Sequence, residues 1–231
     1  MAAEPMTAAA TPHLVGTREP GAWRELMTAI RADHRLVAQY AAKYHVAGGV
    51  SRYLLLDFVR KIGFQMMVVC RLMRFAQALR LPLVPEMISR TARHLYGSDI
   101  HWNARFEPGV AIVHGMGLCI SHRAIVGSGA ILFQGVTLGE GIDPDTRIAG
   151  SPRLERDVHV GPGATLVGPI TIGAASKIMA GCVVTRSVPP NSLVEACTPV
   201  VKPRAERAAA IVDDLGAHSN SHASTCGERG Y

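Results

Sequence analysis

A parallel β-helix preceded by an α-helical region is the fold class this sequence predicts, on three observations. The first is a period of six. From Leu154 to Val184 an aliphatic residue takes every sixth position (Leu154, Val160, Leu166, Ile172, Ile178, Val184), with a second column at Val158, Ala164, Ile170, Ser176, Cys182 and Val188. Upstream the period appears at Ile120, Val126, Leu132 and Leu138, with Phe106, Ile112, Leu118, Ala124, Ala130 and Val136 as companions. This spacing fits neither the 3.6-residue helix nor a long alternating strand, and it is the hexapeptide signature of stacked coils. The second observation is glycine placed directly after the aliphatic position, as in Val126-Gly127, Leu138-Gly139, Val160-Gly161 and Ile172-Gly173, where a flat strand must turn a tight corner. The third is composition. Aromatic content is 5% against 48% hydrophobic, with 23 glycines in 231 residues, which suits a thin core with no room for large rings.

Residues 1–20, rich in Ala, Thr and Pro without apolar periodicity, read as a flexible leader. From Trp23, apolar residues at Leu26, Met27, Ile30, Leu36 and Val37 predict an amphipathic helix, and Gly48 and Gly49 break the pattern. A second helical region spans about 51–80, and a third runs through Met87, Ile88, Ala92 and Leu95 to Gly97. These regions form a helical domain over 21–98, whose Met and Leu residues read as helix-packing core. The β-helix follows over 99–201. Its phase breaks once, because the step from Leu138 to Leu154 is not a multiple of six. The polar, Gly- and Pro-rich residues 140–153 therefore read as a loop expelled from the wall, a common place for function. Pro189-Pro190-Asn191 ends the repeat, and 202–231 form a tail with a brief helical stretch from Glu206 to Leu215.

The net charge of +6 is concentrated in the helical region, without a run of five basic residues or any nucleic-acid-binding motif. That leaves a solvated basic face, an anionic ligand or peripheral membrane contact, and argues against a nucleic-acid partner. The apolar stretch Tyr53 to Met73 is interrupted by Asp57, Arg60, Lys61 and Arg71, too much charge for a membrane span. The five cysteines (Cys70, Cys119, Cys182, Cys197, Cys226) show neither disulfide nor metal spacing, which predicts a cytoplasmic protein.

The candidate base is His114, which falls in a six-residue column otherwise occupied by Ile120, Val126, Leu132 and Leu138. Such a break of a local rule marks functional sites, although a hydrogen-bonded structural histidine fits as well. Asp99 lies upstream of it by close to one turn of a three-sided prism. A carboxylate there could fix the imidazole tautomer and leave the other nitrogen free to take a proton.

The stretches SDIHWNARFEPGVAIVHGMGLCISHRAIVGSGAILFQGVTLG and GPITIGAASKIMAGCVVTRSVPPNSLV resemble the serine acetyltransferases, and GFQMMVVCRLMRF resembles the helix preceding that family's β-helix. The resemblance covers about residues 23–201. It implies a left-handed coil, homotrimers with active sites between neighbouring β-helices, and acetyl-CoA lying along the groove between coils, with a pairing of trimers through the helical domain left open. It makes His114 the catalytic base and Asp99 its orienting partner. It places acetyl-CoA contacts at Gly139, Pro162, Lys177 and Ala180 and requires no metal. Direct attack of the acceptor hydroxyl on the thioester would follow, with backbone N–H groups meeting the oxyanion.

The departures from the family pattern concern the acceptor. The Asp that precedes the family's catalytic His is Val113 here, the Arg-His pair gripping the serine carboxylate is Gly150-Ser151, and a Glu of the next coil is His122. Asp33 is the residue that could retain the family's amino-group contact in the helical domain. The terminal Ile used by many members to dock cysteine synthase has no counterpart in Gly230-Tyr231. A zwitterion needs both an anionic and a cationic partner. The changed clamp, with Val113 and Ser151 at its acceptor-facing positions, therefore predicts a non-serine hydroxyl, such as a sugar or polysaccharide precursor. The Val-His-Gly arrangement also looks like the exopolysaccharide-associated branch, such as the colanic acid acetyltransferases. Arg147 or Arg153 could replace the missing cation, or could be solvated loop residues. The alternatives are a serine O-acetyltransferase with a rearranged clamp and a non-catalytic trimeric scaffold. His101, His122 and His159 read as structural or surface residues. The γ-carbonic anhydrases share the fold, but their paired zinc ligands are more closely spaced in sequence than His114 and His122.

Overall fold

The computed structural model describes residues 21–44, 53–143 and 146–196. The expected leader, the Gly48-Gly49 break and the tail lie outside the described residues. The described residues all belong to one compact unit.

Four helices open this unit: α1 (Ala22–Lys43), α2 (Leu54–Arg60), α3 (Ile62–Ala78) and α4 (Val84–Tyr96). The expected second helical region divides at Lys61, whose extended backbone ends α2 and starts α3. Pro85 sits in the first turn of α4, where its missing N–H costs nothing, and Gly97 closes that helix in the left-handed conformation (φ 61°). The hinge between helices and coil is α3. Its Met66, Met67, Cys70 and Met73 are buried in the same core as the first coils, so helices and β-helix share one interior. Leu26 and Ile30 of α1 pack with Phe64 in a second, smaller cluster. The exposed Met87 and Leu95 of α4 depart from the core assignment made for the helical Met and Leu residues.

The coil begins with β1 (Asp99–Ile100), β2 (Arg105–Phe106) and β3 (Ala111–Ile112). It continues with β4 (Cys119–Ile120), β5 (Ile125–Val126), β6 (Ile131–Leu132) and β7 (Thr137–Gly139). A hairpin of β8 (Gly141–Ile142) and β9 (Ala149–Gly150) then leaves the wall. The wall resumes with β10 (Arg153–Leu154), β11 (His159–Val160), β12 (Thr165–Val167) and β13 (Thr171–Ile172). It ends with β14 (Lys177–Ile178), β15 (Val183–Val184) and β16 (Leu193–Val194). Parallel pairing stacks these strands into three faces, β1-β4-β7-β12-β15, β2-β5-β10-β13 and β3-β6-β11-β14-β16. This is the left-handed parallel β-helix with an α-helical N-terminal region. The second residue of each short strand points inward: Ile120, Val126, Leu132, Leu138, Leu154, Val160, Leu166 and Ile172 are all at most 2% exposed. Each such side chain contributes roughly 1.5–3 kcal/mol by leaving water.

The register shows where the regular coil is interrupted. Cys119 faces Thr137 and Thr165 faces Val183, so a regular coil is three hexapeptides long. Thr137, however, meets Thr165 only after an excursion, and the surplus over a regular coil is the hairpin from Gly141 to Gly150. The expected loop is therefore an ordered hairpin at its two ends. The first coil is longer than regular by two, since Asp99 faces Cys119, Arg105 faces Ile125 and Ala111 faces Ile131. The surplus falls between Ile112 and Cys119. Val113 N–H bonds Leu132 O as Phe133 N–H bonds Val160 O, and Gly135 N–H bonds Met116 O as Gly163 N–H bonds Gln134 O. Val113 thus corresponds to Phe133 and Met116 to Gln134, leaving His114 and Gly115 as the two extra residues. The expectation that His114 occupies an aliphatic column is corrected: Ile112 holds that place, opposite Leu132, and His114 is pushed out onto the corner.

This corner touches α3 backbone to backbone. A side chain on Gly63 would collide with the Ile112 carbonyl, and one on Gly115 would come within 3.1 Å of the Gly63 Cα. Gly63→Ala is therefore expected to cost about 1–3 kcal/mol as an overpacked contact. Thermal unfolding checks this, and an unchanged midpoint would mean that α3 does not press on the corner.

Candidate active site

His114 is exposed on the corner joining β3 to β4, with φ 68°, a conformation that non-glycine residues seldom adopt. Gly115 (φ 60°) and Gly117 (φ 69°) complete the enlarged turn. Ser98, fully buried, braces the turn from below: its hydroxyl donates to Gly115 O (3.0 Å) and accepts from Leu118 N–H (3.1 Å). The strained turn that carries the imidazole is thus held by backbone packing and one buried hydroxyl.

The same corner recurs on each later coil. Gly117, Gly135, Gly163 and Gly181 stack along it, all with positive φ, and a Cβ at Gly163 or Gly181 would meet open space. Gly181 N–H bonds Pro162 O (2.9 Å), which places Pro162 and Ala180 in equivalent positions on successive coils. At about 4.8 Å per strand step, this glycine-lined edge runs about 14 Å from Met116 to Ala180. Two of the four residues expected to meet acetyl-CoA (Pro162 and Ala180) therefore lie on the edge headed by His114, and Lys177 lies on the adjoining face in β14, opposite His159. Gly139 lies at the far end of β7, beside the hairpin. The edge also carries Gln134, whose side-chain oxygen is buried without a hydrogen-bond partner in the structure. Sequence reasoning passed over this residue, although a polar side chain two positions after Leu132 was a signal.

A cavity of about 560 Å³ opens between this corner and the helices. His114, Val113, Ile112 and Met116 line one side, and Tyr40, Asp57, Arg60, Lys61 and Phe64 line the other. Asp57 is buried, bonded to His34 Nε2 (2.7 Å), with Lys61 Nζ at 3.9 Å. Asp57 and Arg60 stood in the sequence only as charges excluding a membrane span, and their common place beside His114 depends on the packing of α2. Among the described residues no helix is long and apolar enough to cross a membrane.

The other expected site residues fall as follows. Asp99 sits next to Ser98 at the foot of this corner, but its half-exposed carboxylate pairs with Arg93 (2.5 Å), and no hydrogen bond joins it to His114. Asp33, expected to meet a substrate ammonium, is corrected to a structural role. It is 0% exposed and accepts from Arg71 Nε (2.8 Å) and Nη2 (2.9 Å) and from Gly109 and Val110 N–H (both 2.9 Å). Neither oxygen is left for a ligand.

Gly150 closes the hairpin against Gly141, and a Cβ there would come within 2.8 Å of the Pro169 side chain. Ser151 beside it has a buried hydroxyl without a partner. Arg147 and Arg153 belong to the hairpin and β10 and are exposed. His122 lies on a different corner from His114, 3.7 Å from Glu140 and edge-on to His101. Burial, with His122 nearby, lowers the pKa of His101; burial, with Lys177 and Lys43 nearby, lowers that of His159. Both imidazoles therefore oppose protonation in the folded state. Burial pushes the Cys70 thiol up to about 12, so it is not a nucleophile.

No family model matches the chain. Over 133 residues it is 42% identical to the serine acetyltransferase of Synechococcus elongatus, a match spanning 57% of this chain and 53% of that protein. The chain thus spans about half the length of the curated relatives it matches. Among solved structures, the serine acetyltransferase of Brucella abortus superposes with a TM-score of 0.63 at 25% identity, over 77% of this chain and 69% of that one. The Neisseria gonorrhoeae serine acetyltransferase, solved in complex with serine, gives 0.64 at 24% identity, over 78% and 69%, and shows the shared fold. The matched sequence and the coil architecture together make the chain similar to the serine acetyltransferases.

Proposed function

We propose that this protein transfers an acetyl group from acetyl-CoA to an acceptor hydroxyl, with His114 as general base. The observation that carries the reading is the placement of His114: an exposed imidazole on a strained backbone at the head of the glycine edge and on the wall of a 560 Å³ cavity. The cavity would hold the acceptor, and the edge would hold the acyl donor along Pro162 and Ala180, with Lys177 on the adjoining face and Gly139 beyond. Lys177 and Lys43 suit the donor's phosphates by their charge.

The imidazole takes the acceptor's hydroxyl proton as the oxygen attacks the thioester carbonyl. The tetrahedral oxyanion then collapses, the carbon–sulfur bond breaks, and the imidazolium returns the proton to the departing thiolate. General-base catalysis of this kind contributes about 10²- to 10⁴-fold. Asp99 serves as the orienting carboxylate in this proposal by exchanging Arg93 for His114. An exposed ion pair is worth only about 0–1 kcal/mol, so the exchange is inexpensive. Homotrimeric assembly, with sites between neighbouring β-helices, belongs to the same reading and is supported by the family likeness.

L-serine is the acceptor that the relatives' names support. A second reading, a sugar or other non-serine hydroxyl, is favoured by Val113 on the cavity wall and by Gly150, where Pro169 leaves no space for a clamping side chain. Release of free thiol from acetyl-CoA separates the two. Turnover with L-serine in the ordinary enzyme range, about 1–10³ per second, is expected if serine is the acceptor. Turnover confined to sugar hydroxyls would establish the second reading.

A further inference from the structure

The cavity beside His114 carries an unusual balance of charge. Its lining includes one carboxylate, Asp57, and two cations, Arg60 and Lys61. Asp57 is already engaged by His34 at 2.7 Å and by Lys61 at 3.9 Å. Arg60, in the last turn of α2, is exposed and makes no ion pair or hydrogen bond with any of the described residues. The wall nearest the base, Ile112 and Val113, is apolar and supplies no counter-charge. An uncommitted guanidinium at the mouth of a site is a planar fork of donors matched to a carboxylate or phosphate. The hairpin cannot supply that fork at Gly150, where any side chain meets Pro169.

We propose that Arg60 receives an anionic group of the acceptor, so that the acceptor is a hydroxyl compound bearing a carboxylate or phosphate. The role of the missing hairpin cation thus passes to the helical region. This inference rests on the acyl-transfer reading and adds the acceptor's charge to it. Arg60 is a specificity-determining residue, since the anion it holds fixes which hydroxyl reaches His114.

The test compares four acceptors in the wild-type protein with acetyl-CoA: glycerol as the neutral reference, glycerate and glycerol phosphate as the anions, and L-serine as a zwitterion whose carboxylate is accompanied by an ammonium. At least one anion is expected to have a KM about tenfold or more below that of glycerol, as a charge-assisted hydrogen bond allows. Which one does so distinguishes carboxylate from phosphate. In Arg60→Gln the ratio of KM for that anion to KM for glycerol is expected to collapse towards one, and in Arg60→Lys to recover in part. No anion preference in the wild type, or a preference that survives Arg60→Gln, would overturn the proposal.

Should no acceptor consume acetyl-CoA, the acyl-transfer reading fails on its own account. Calorimetric titration with glycerate and glycerol phosphate still tests the anion site. Heat seen with the wild type and lost in Arg60→Gln supports it, and heat absent from both overturns it.

Discussion

Asp33→Ala is expected to destabilise the protein by about 3–5 kcal/mol, the cost of breaking a buried ion pair on one side. The Asp33 carboxylate ties α1 to α3 through Arg71, and both to the β2–β3 corner through Gly109 and Val110 N–H. Its loss leaves a guanidinium that is only 7% exposed, together with two backbone donors, without their acceptor. Arg71 would keep its bonds to Phe106 O (2.5 Å) and Glu107 O (2.7 Å), but these do not neutralise its charge. Because total stabilities are about 5–15 kcal/mol, such a loss threatens the fold itself. Denaturant unfolding of Asp33→Ala, Arg71→Met and the double variant measures the coupling. The double variant should cost clearly less than the two single changes together. Additive costs, or a near-neutral Asp33→Ala, would show that the pair does not hold the helices to the coil.

His114→Asn is expected to lower acetyl transfer by about 10²- to 10⁴-fold while leaving the unfolding midpoint close to that of the wild type. The residue is exposed, and asparagine tolerates the left-handed backbone that position 114 requires. His114→Ala removes the base equally well but forces alanine into φ 68°, so it tests chemistry and strain together. A catalytic role predicts that both variants lose activity and that only the alanine variant also loses stability. The scaffold alternative predicts no effect of His114→Asn on acetyl transfer.

The fold was legible because its repeat is chemical as well as geometric. An aliphatic residue had to recur at the inward position of every strand, and Leu138 to Leu154 broke that rhythm visibly among polar, Gly- and Pro-rich residues. The two-residue enlargement at His114 was not legible. Ile112 and Leu118 are both aliphatic and six apart, yet one is the inward strand residue and the other belongs to the corner column before β4. A shift of two moves the chain from one apolar column into the other, so the period runs on unbroken in sequence while the register changes in space. The enlarged turn, and not an interrupted column, is what singles out His114 in the structure.

The pairing of Asp33 is hidden from the sequence for the opposite reason. A lone acidic residue on an amphipathic helix looks available, and only the tertiary approach of Arg71 shows that it is consumed. Arg60 and Asp57 line the same cavity as His114, and Gly63 lets α3 lie against the Ile112 carbonyl there, which no local pattern discloses.

The most direct test of the central claim is the yield of free thiol and of O-acetylated product when wild type and His114→Asn are each mixed with acetyl-CoA and an acceptor. Acetyl transfer through His114 predicts one thiol released per product formed in the wild type, saturating in both substrates, and at least about a hundredfold less in the variant. Equal rates in the two proteins, or thiol release in the wild type that does not depend on the acceptor, would contradict it.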